Sequence, residues 1–169
     1  MVRIRPFKRE DMDSLLRWLE DERTVALWRA DRFVWPVTPE QLERYYRDFE
    51  EDGSKAAFTA LDEAGRAFGH FSIRDMDWGE NRGHMGFIIT DPELRGRGLG
   101  RQMVHQALRY GFEILGLSRI TLGVYDCNGA ARRCYEAEGF ARCERPGFIT
   151  EFYGEEWEYF YMEAAAGKS

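Results

Sequence analysis

The chain has little cysteine: Cys127, Cys134 and Cys143 are the only three in 169 residues. They are odd in number and form no C-x-x-C pair, which excludes a disulfide framework and a cysteine-based zinc site and leaves free thiols in a reducing compartment. Long apolar runs are missing as well. Stretches such as Gly86-Phe87-Ile88-Ile89 are only a few residues, far below the roughly 20 that cross a bilayer, so no transmembrane helix is expected and no membrane partner. The opening Met1-Val2-Arg3-Ile4-Arg5-Pro6 carries no signal-peptide run behind its charges, which makes the cytoplasm the default compartment. There is no cationic excess either. Lys and Arg total 24 against 30 Asp and Glu, a formal charge of -6, with a pI near 5.2. Binding to a nucleic-acid backbone needs clustered cations, so nucleic acid is excluded as the main partner. His70, His84 and His105 show no H-E-x-x-H or other ligand spacing, and no metal is expected.

What is present is core material. Hydrophobic residues make up 44%, with 12 Phe, 8 Tyr and 5 Trp, enough for one packed domain and too little chain for two typical cores. The expected organisation is one domain over residues 1–163, followed by a frayed tail at 164–169. Val2 to Arg5 reads as a strand and Glu10 to Leu19 as a helix, with Met12, Leu15, Leu16 and Leu19 at helical spacing. A second helix follows Thr38 as N-cap, with Pro39 at its first position and Gln41 completing a capping box, and runs to about Glu51. Trp28 to Trp35 reads as a loop or short helix near the site.

From Lys55 the pattern turns to short apolar strands: Ala57 to Leu61 and Phe68 to Ile73 around the turn Asp62-Glu63-Ala64-Gly65, then Arg82 to Thr90, stopped by Asp91-Pro92. Apolar residues every three or four positions mark a helix from Leu99 to about Leu115, with Gly116 as its C-cap and Ile120 to Val124 as the next strand. Asn128 to Ala137 reads as another helix, and Arg142 to Thr150 and Glu156 to Met162 as the last two strands. The fold class is α/β (α+β): a mixed, mostly antiparallel sheet with a central parallel pair, flanked by helices.

The segment Arg95-Gly96-Arg97-Gly98-Leu99-Gly100-Arg101 holds three arginines and no acid, and it stands between a strand and a long helix. Glycines allow close backbone approach, and the first N–H groups of a helix point outward at its positive end, so this is an anion site suited to a pyrophosphate. A Walker loop would need Gly-Lys-Ser/Thr where Gly100 is followed by Arg101-Gln102, and a dinucleotide fingerprint would need glycine where Arg101 stands. A tight turn with solvated arginines is the bland alternative.

These residues carry a resemblance. Arg95-Gly96-Arg97-Gly98-Leu99-Gly100 resembles the Arg/Gln-x-x-Gly-x-Gly/Ala signature of the GCN5-related N-acetyltransferases. Val124 to Ala131 followed by Tyr135-Glu136-Ala137-Glu138-Gly139-Phe140 is similar to that family's Asn, Ala, Tyr and Gly-Phe pattern. The opening Ile4-Arg5-Pro6 and the closing Gly154 to Met162 are similar to the ribosomal-protein and polyamine acetylating branch. The resemblance implies acetyl-coenzyme A as cosubstrate and transfer of its acetyl group to a primary amine by direct attack. The acceptor classes are a protein or peptide N-terminus, a polyamine or another small amine, an aminoglycoside among them. A non-catalytic acyl-coenzyme A sensing module is the alternative from another class.

By the same resemblance the parallel strands splay, and backbone groups of Ile88, Ile89 and Thr90 pair with the pantetheine arm as an added strand. An N–H near Ile89 would hold the acetyl carbonyl. The backbone from Arg95 through Arg97, Gly98 and Leu99 to Arg101 would hold the pyrophosphate, Asn128 would touch pantetheine and cap its helix, and Arg132 and Arg133 would reach the 3′-phosphate. Tyr135 would donate a proton to the departing thiolate, with a core aromatic as its structural reading. For the base, His84, Asp75, Asp77, Glu80 and a water chain stay open. Acids at Asp75, Asp77, Glu80, Glu151, Glu155, Glu156 and Glu158, interleaved with Trp28, Trp35, Trp78, Phe148, Phe152 and Tyr153, suit a cationic amine or form an ordinary solvated rim. A homodimer is an expectation by resemblance.

Overall fold

In a computed structural model that describes residues 1–29 and 32–167, the chain folds around one mixed sheet. The elements in order are β1 (Arg3–Pro6), a 3-10 turn (Arg9–Asp11), α1 (Met12–Trp18), α2 (Glu22–Arg29), α3 (Pro39–Glu51), β2 (Ala56–Leu61), β3 (Ala67–Asp77), β4 (Arg82–Thr90), α4 (Leu99–Arg109), β5 (Arg119–Tyr125), α5 (Gly129–Ala137), β6 (Ala141–Arg142), β7 (Phe148–Phe152) and β8 (Glu155–Ala165). The strand order is β1-β2-β3-β4-β5-β8-β6, with β7 added along β8. Every pairing is antiparallel except that of β4 with β5.

Two apolar clusters sandwich this sheet. Phe68, Phe71, Ile73, Met103, Val104, Leu122, Val124 and Met162 join it to α4 on one side. Leu15, Trp18, Trp28, Leu42, Tyr45, Phe87 and Ile89 join it to α1, α2 and α3 on the other. Asp11 ties the N-terminus to that second layer: its carboxylate accepts from both arms of Arg5, at 2.7 and 2.9 Å, from the Lys8 N–H and from the Thr59 hydroxyl. Burial raises the Asp11 pKa, but these donors outweigh it and leave the carboxyl below its ordinary value.

Several expectations need correction. Thr38 does cap α3, accepting from Gln41 N at 3.3 Å, but the Gln41 amide does not close a capping box. It donates to the Val34 and Pro36 carbonyls and accepts from Val34 N, because that irregular loop has backbone groups with no ladder to join. The segment read as a loop or short helix is in keeping with that reading where it is described: Trp28 lies in the short α2, whose start is held by the Asp21 carboxylate accepting from Thr24 N at 3.0 Å. Of the aromatic segment around it, Ala30 and Asp31 lie outside the described residues. The helix predicted to Leu115 gives way at Tyr110 to a π turn where Gly111 presses on Ile120. The strand predicted over 142–150 is two strands, since Pro146 lies between them and cannot donate to a ladder. The tail is not frayed at its start: Ala164 and Ala165 pair with Ile120 and Arg119, and Ala166 N donates to Ser118 O. Lys168 and Ser169 lie outside the described residues.

The feature that shapes the site is an irregularity in β4. It pairs with β5 only through Arg82/Arg119, Gly83/Ile120 and His84/Thr121. On its other edge Gly86 faces Ser72 and Ile89 faces His70, so Phe87 and Ile88 together stand opposite Phe71. Two residues against one make a β-bulge, which bends the strand and sharpens its twist. Phe87 takes φ +51°, a conformation that costs a bulky residue about 1–3 kcal/mol. Its ring is buried against Tyr45, Trp28 and Phe33, with centroids 4.7, 5.3 and 6.0 Å away. Burying a Phe side chain contributes about 1.5–3 kcal/mol, enough to offset the strain. Pairing with β5 has already stopped at His84, short of the bulge, and from there the two strands part.

Candidate active site

Where the strands diverge, a cleft of about 510 Å³ opens. Ile88, Ile89 and Thr90 form one wall, and Met103 and Val104 from α4 lie beneath. No strand pairs with the β5-facing edge of β4 past His84 among the described residues, so that edge is open to an extended ligand. At one end stands the start of α4. Gly98 caps it at φ +77° and its carbonyl accepts from Gln102 N, which leaves the N–H groups of Leu99, Gly100 and Arg101 without an intrahelical acceptor. Gly96, at φ +78°, and Gly98 need the left-handed region, and a Cβ on either would enter open space. Gly100 needs no such conformation.

Of the predicted residues, Ile88, Ile89, Thr90, Arg95, Gly96, Gly98, Leu99, Gly100, Arg101, Asn128, Arg133 and Tyr135 all line this cleft. Arg97 is not part of the lining, and Arg132 turns to Glu136 at 2.8 Å and to the Phe160 ring. Arg101 is not a bare charge: its Nε donates to Glu138 at 2.7 Å, and the same carboxylate meets His105 Nδ1 at 2.9 Å. Burial raises the Glu138 pKa, and these two partners more than reverse it. The Asn128 side chain accepts from Ala131 N, so it caps α5 while facing the cleft. Burial drives the Cys134 thiol up to about 11 and the Tyr135 phenol above its ordinary value. Both stay protonated at neutral pH. Among the described residues no group hydrogen-bonds the Tyr135 hydroxyl.

A second cavity of about 390 Å³ is lined by Trp28, Arg74, Asp75, His84, Tyr125, Arg145, Phe148, Thr150, Tyr159 and Tyr161. Trp28 lines both cavities, so they meet across one indole. His84 stands at the last β4–β5 pair, with Nδ1 2.9 Å from Thr121 Oγ1. Of the four candidate bases, His84 and Asp75 reach this cavity. Asp77 instead accepts from the Gly79 and Glu80 N–H groups in its own turn. The other acids lie elsewhere: Glu155 binds Arg23 and the Trp157 indole, and Glu158 binds Arg142. The walls include Tyr125, Tyr159 and Tyr161, which sequence reasoning passed over. Trp157, Tyr159 and Tyr161 fall at alternate positions of β8, a period-2 stripe that could have revealed them.

A sheet parted between two parallel strands, edged by free backbone and closed by a helix N-terminus, is the form of an acyl-coenzyme A-dependent transferase. The chain belongs to the acetyltransferase (GNAT) domain family, whose model matches residues 2–141. It is 29% identical to a spermidine N(1)-acetyltransferase of Vibrio cholerae, over 89% of this chain and 83% of the relative. It is 35% identical to a mycothiol acetyltransferase of Salinispora tropica, over 74% of this chain but 40% of the relative. The crystal structure of the V. cholerae spermidine N-acetyltransferase in complex with CoA and spermine superposes at a TM-score of 0.84, with 23% identity, over 99% of this chain and 96% of that one. The expected fold class, the acetyltransferase activity and acetyl-coenzyme A as acetyl donor therefore stand. Among the described residues no helix is long and apolar enough to cross a membrane, and no group of three His, Cys, Asp or Glu could hold a metal ion.

Proposed function

We propose that acetyl-coenzyme A lies in the cleft between β4 and β5 and that a primary amine enters from the aromatic cavity to meet it beside Trp28. The observation that carries this reading is that β4–β5 pairing stops after His84, ahead of the bulge at Phe87, and leaves the β5-facing edge of Ile88 to Thr90 unpaired. The pantetheine amides complete that ladder, and the pyrophosphate takes the N–H groups of Leu99, Gly100 and Arg101, with Arg95, Arg101 and Arg133 adding charge. Gly96 and Gly98 hold the turn, and Asn128 contacts pantetheine from the opposite wall.

The amine lone pair attacks the thioester carbonyl carbon, whose oxygen is met by an N–H near Ile89. The C–N bond forms as the C–S bond breaks. His84, the histidine of the acceptor cavity, takes the amine proton, and Tyr135 returns one to the departing sulfur, leaving an N-acetylated amine and coenzyme A. The burial that keeps the Tyr135 phenol protonated supports a donor role. The three free cysteines support a cytoplasmic setting.

Calorimetry with acetyl-coenzyme A, followed by thiol release over a panel of primary amines with spermidine as reference, tests the reading. Binding together with amine-dependent thiol release is expected. Binding without release for any amine would establish the sensing module, and absence of binding would remove the cleft assignment.

A further inference from the structure

Tyr159 is set in place by two glycines. It stands on β8 opposite Tyr125 of β5, while Gly123 of β5 faces Tyr161. A Cβ built on Gly123 would overlap the hydroxyl and ring of Tyr159, and one built on Gly147 would overlap the Tyr159 carbonyl. A glycine inside a strand often marks such a close approach. The phenol therefore leans along β5, from its own rung to that of Gly123. The next residue on that face of β5 is Thr121, whose partner across the split is His84 in the last β4–β5 pair. The hydroxyl is thus delivered toward the fork where the two strands part, with Phe148 stacked behind its ring at 4.7 Å.

A second phenol approaches from the other side of the sheet. Phe160 and Met162 of β8 share a core cluster with Tyr135 and α4, so Tyr159, adjacent to Phe160, points to the opposite face and lines the acceptor cavity. The Tyr135 pKa is raised first by burial and then by Cys134 and Tyr159, which puts the two phenols within electrostatic reach of each other.

We infer that Tyr159 holds the acceptor amine at the fork, its hydroxyl oxygen accepting an N–H of the attacking nitrogen, and that residue 123 is glycine to let the hydroxyl reach there. The inference deepens the acetyl-transfer reading and rests on it. A phenol both donates and accepts, so it can take an amine N–H while its own proton is committed elsewhere. Once the ammonium has given a proton to His84, a remaining N–H on Tyr159 fixes the direction of the nitrogen lone pair toward the thioester.

Tyr159→Phe keeps the ring and removes the hydroxyl. With the best amine of the panel, kcat/KM should fall roughly 10- to 100-fold, the size of a hydrogen bond to a charged group. Acetyl-coenzyme A affinity by calorimetry and the unfolding temperature should stay unchanged. Gly123→Ala should lower kcat/KM for the amine in the same way, by pushing the phenol aside. In a Tyr159→Ala background, where no phenol is left to displace, Gly123→Ala should add nothing. Amine kcat/KM within twofold of wild type in Tyr159→Phe, or a loss shared equally by coenzyme affinity, would overturn the inference and leave acetyl transfer standing. Absence of thiol release with every amine in the wild-type protein would remove both.

Discussion

The two cavities that meet at Trp28 are built from different materials. The larger is edged by backbone: an unpaired strand, the start of α4 and two glycines whose Cβ atoms would enter open space. The smaller is walled by side chains drawn from α2, β3, β4, β5, β7, β8 and the turn after β6. Backbone sites tolerate changes of side chain and fail when the backbone is reshaped, so they suit a ligand common to a whole family. Side-chain sites change with single substitutions, so selectivity for the acceptor belongs there.

That contrast predicts where substitutions act. The largest effect should come from Gly98→Glu, which places a side chain in the left-handed region and a carboxylate in the anion turn. Acetyl-coenzyme A affinity by calorimetry should fall on the order of a thousandfold, and near-normal binding would show that the turn is not the anion site. Next, Tyr135→Phe should lower kcat by about a hundredfold or more with coenzyme affinity within a factor of two. Because burial raises the Tyr135 pKa, the alkaline limb of the wild-type pH profile should survive in the residual activity of this variant. Wild-type turnover would make the residue structural.

The partition between the cavities yields a third prediction. Trp28 packs near the buried His70, which hydrogen-bonds the Tyr45 hydroxyl at 2.7 Å. Burial lowers the His70 pKa to about 3, against a small opposing pull from Asp11. A depressed histidine pKa means that the unfolded state binds the proton first, so stability is fully present above the unfolded pKa near 6.5 and declines below it. Unfolding free energy should fall by about 1.4 kcal/mol per pH unit between roughly 6 and 3. His70→Gln should flatten that slope in denaturant titrations, and an unaltered slope would assign it to other groups. The smallest effect should come from Phe148→Ala, which removes the ring stacked on Tyr159. KM for the amine should rise roughly tenfold while KM for acetyl-coenzyme A holds, and a shift in both would mean that the cavities are not separate.

The same contrast explains what could be read in the sequence. Gly96 and Gly98 announce themselves because few other residues fit a left-handed turn before a helix, and Thr38 and Asn128 because caps have narrow chemistry. The bulge was not legible: Gly86-Phe87-Ile88-Ile89 reads as an ordinary strand, and the extra residue exists only in the register against Phe71. The acceptor cavity was hidden for a related reason. Its residues are near in space and far apart in the chain, and of the clustered acids Asp77 is bound within its own turn and Glu155 and Glu158 to arginines. Only Asp75 reaches the cavity.

The three pairs that join β4 to β5 have one more consequence. Among the described residues they are the only strand pairs between an N-terminal group of four strands and a C-terminal group that ends at Ala165, so the sheet is a ladder with most of its middle rungs missing. Backbone amides bordering this gap should exchange with solvent faster than those in the strand interiors. A ligand lying along the gap would act as a splint, slowing exchange on both sides and raising the unfolding temperature through mass action.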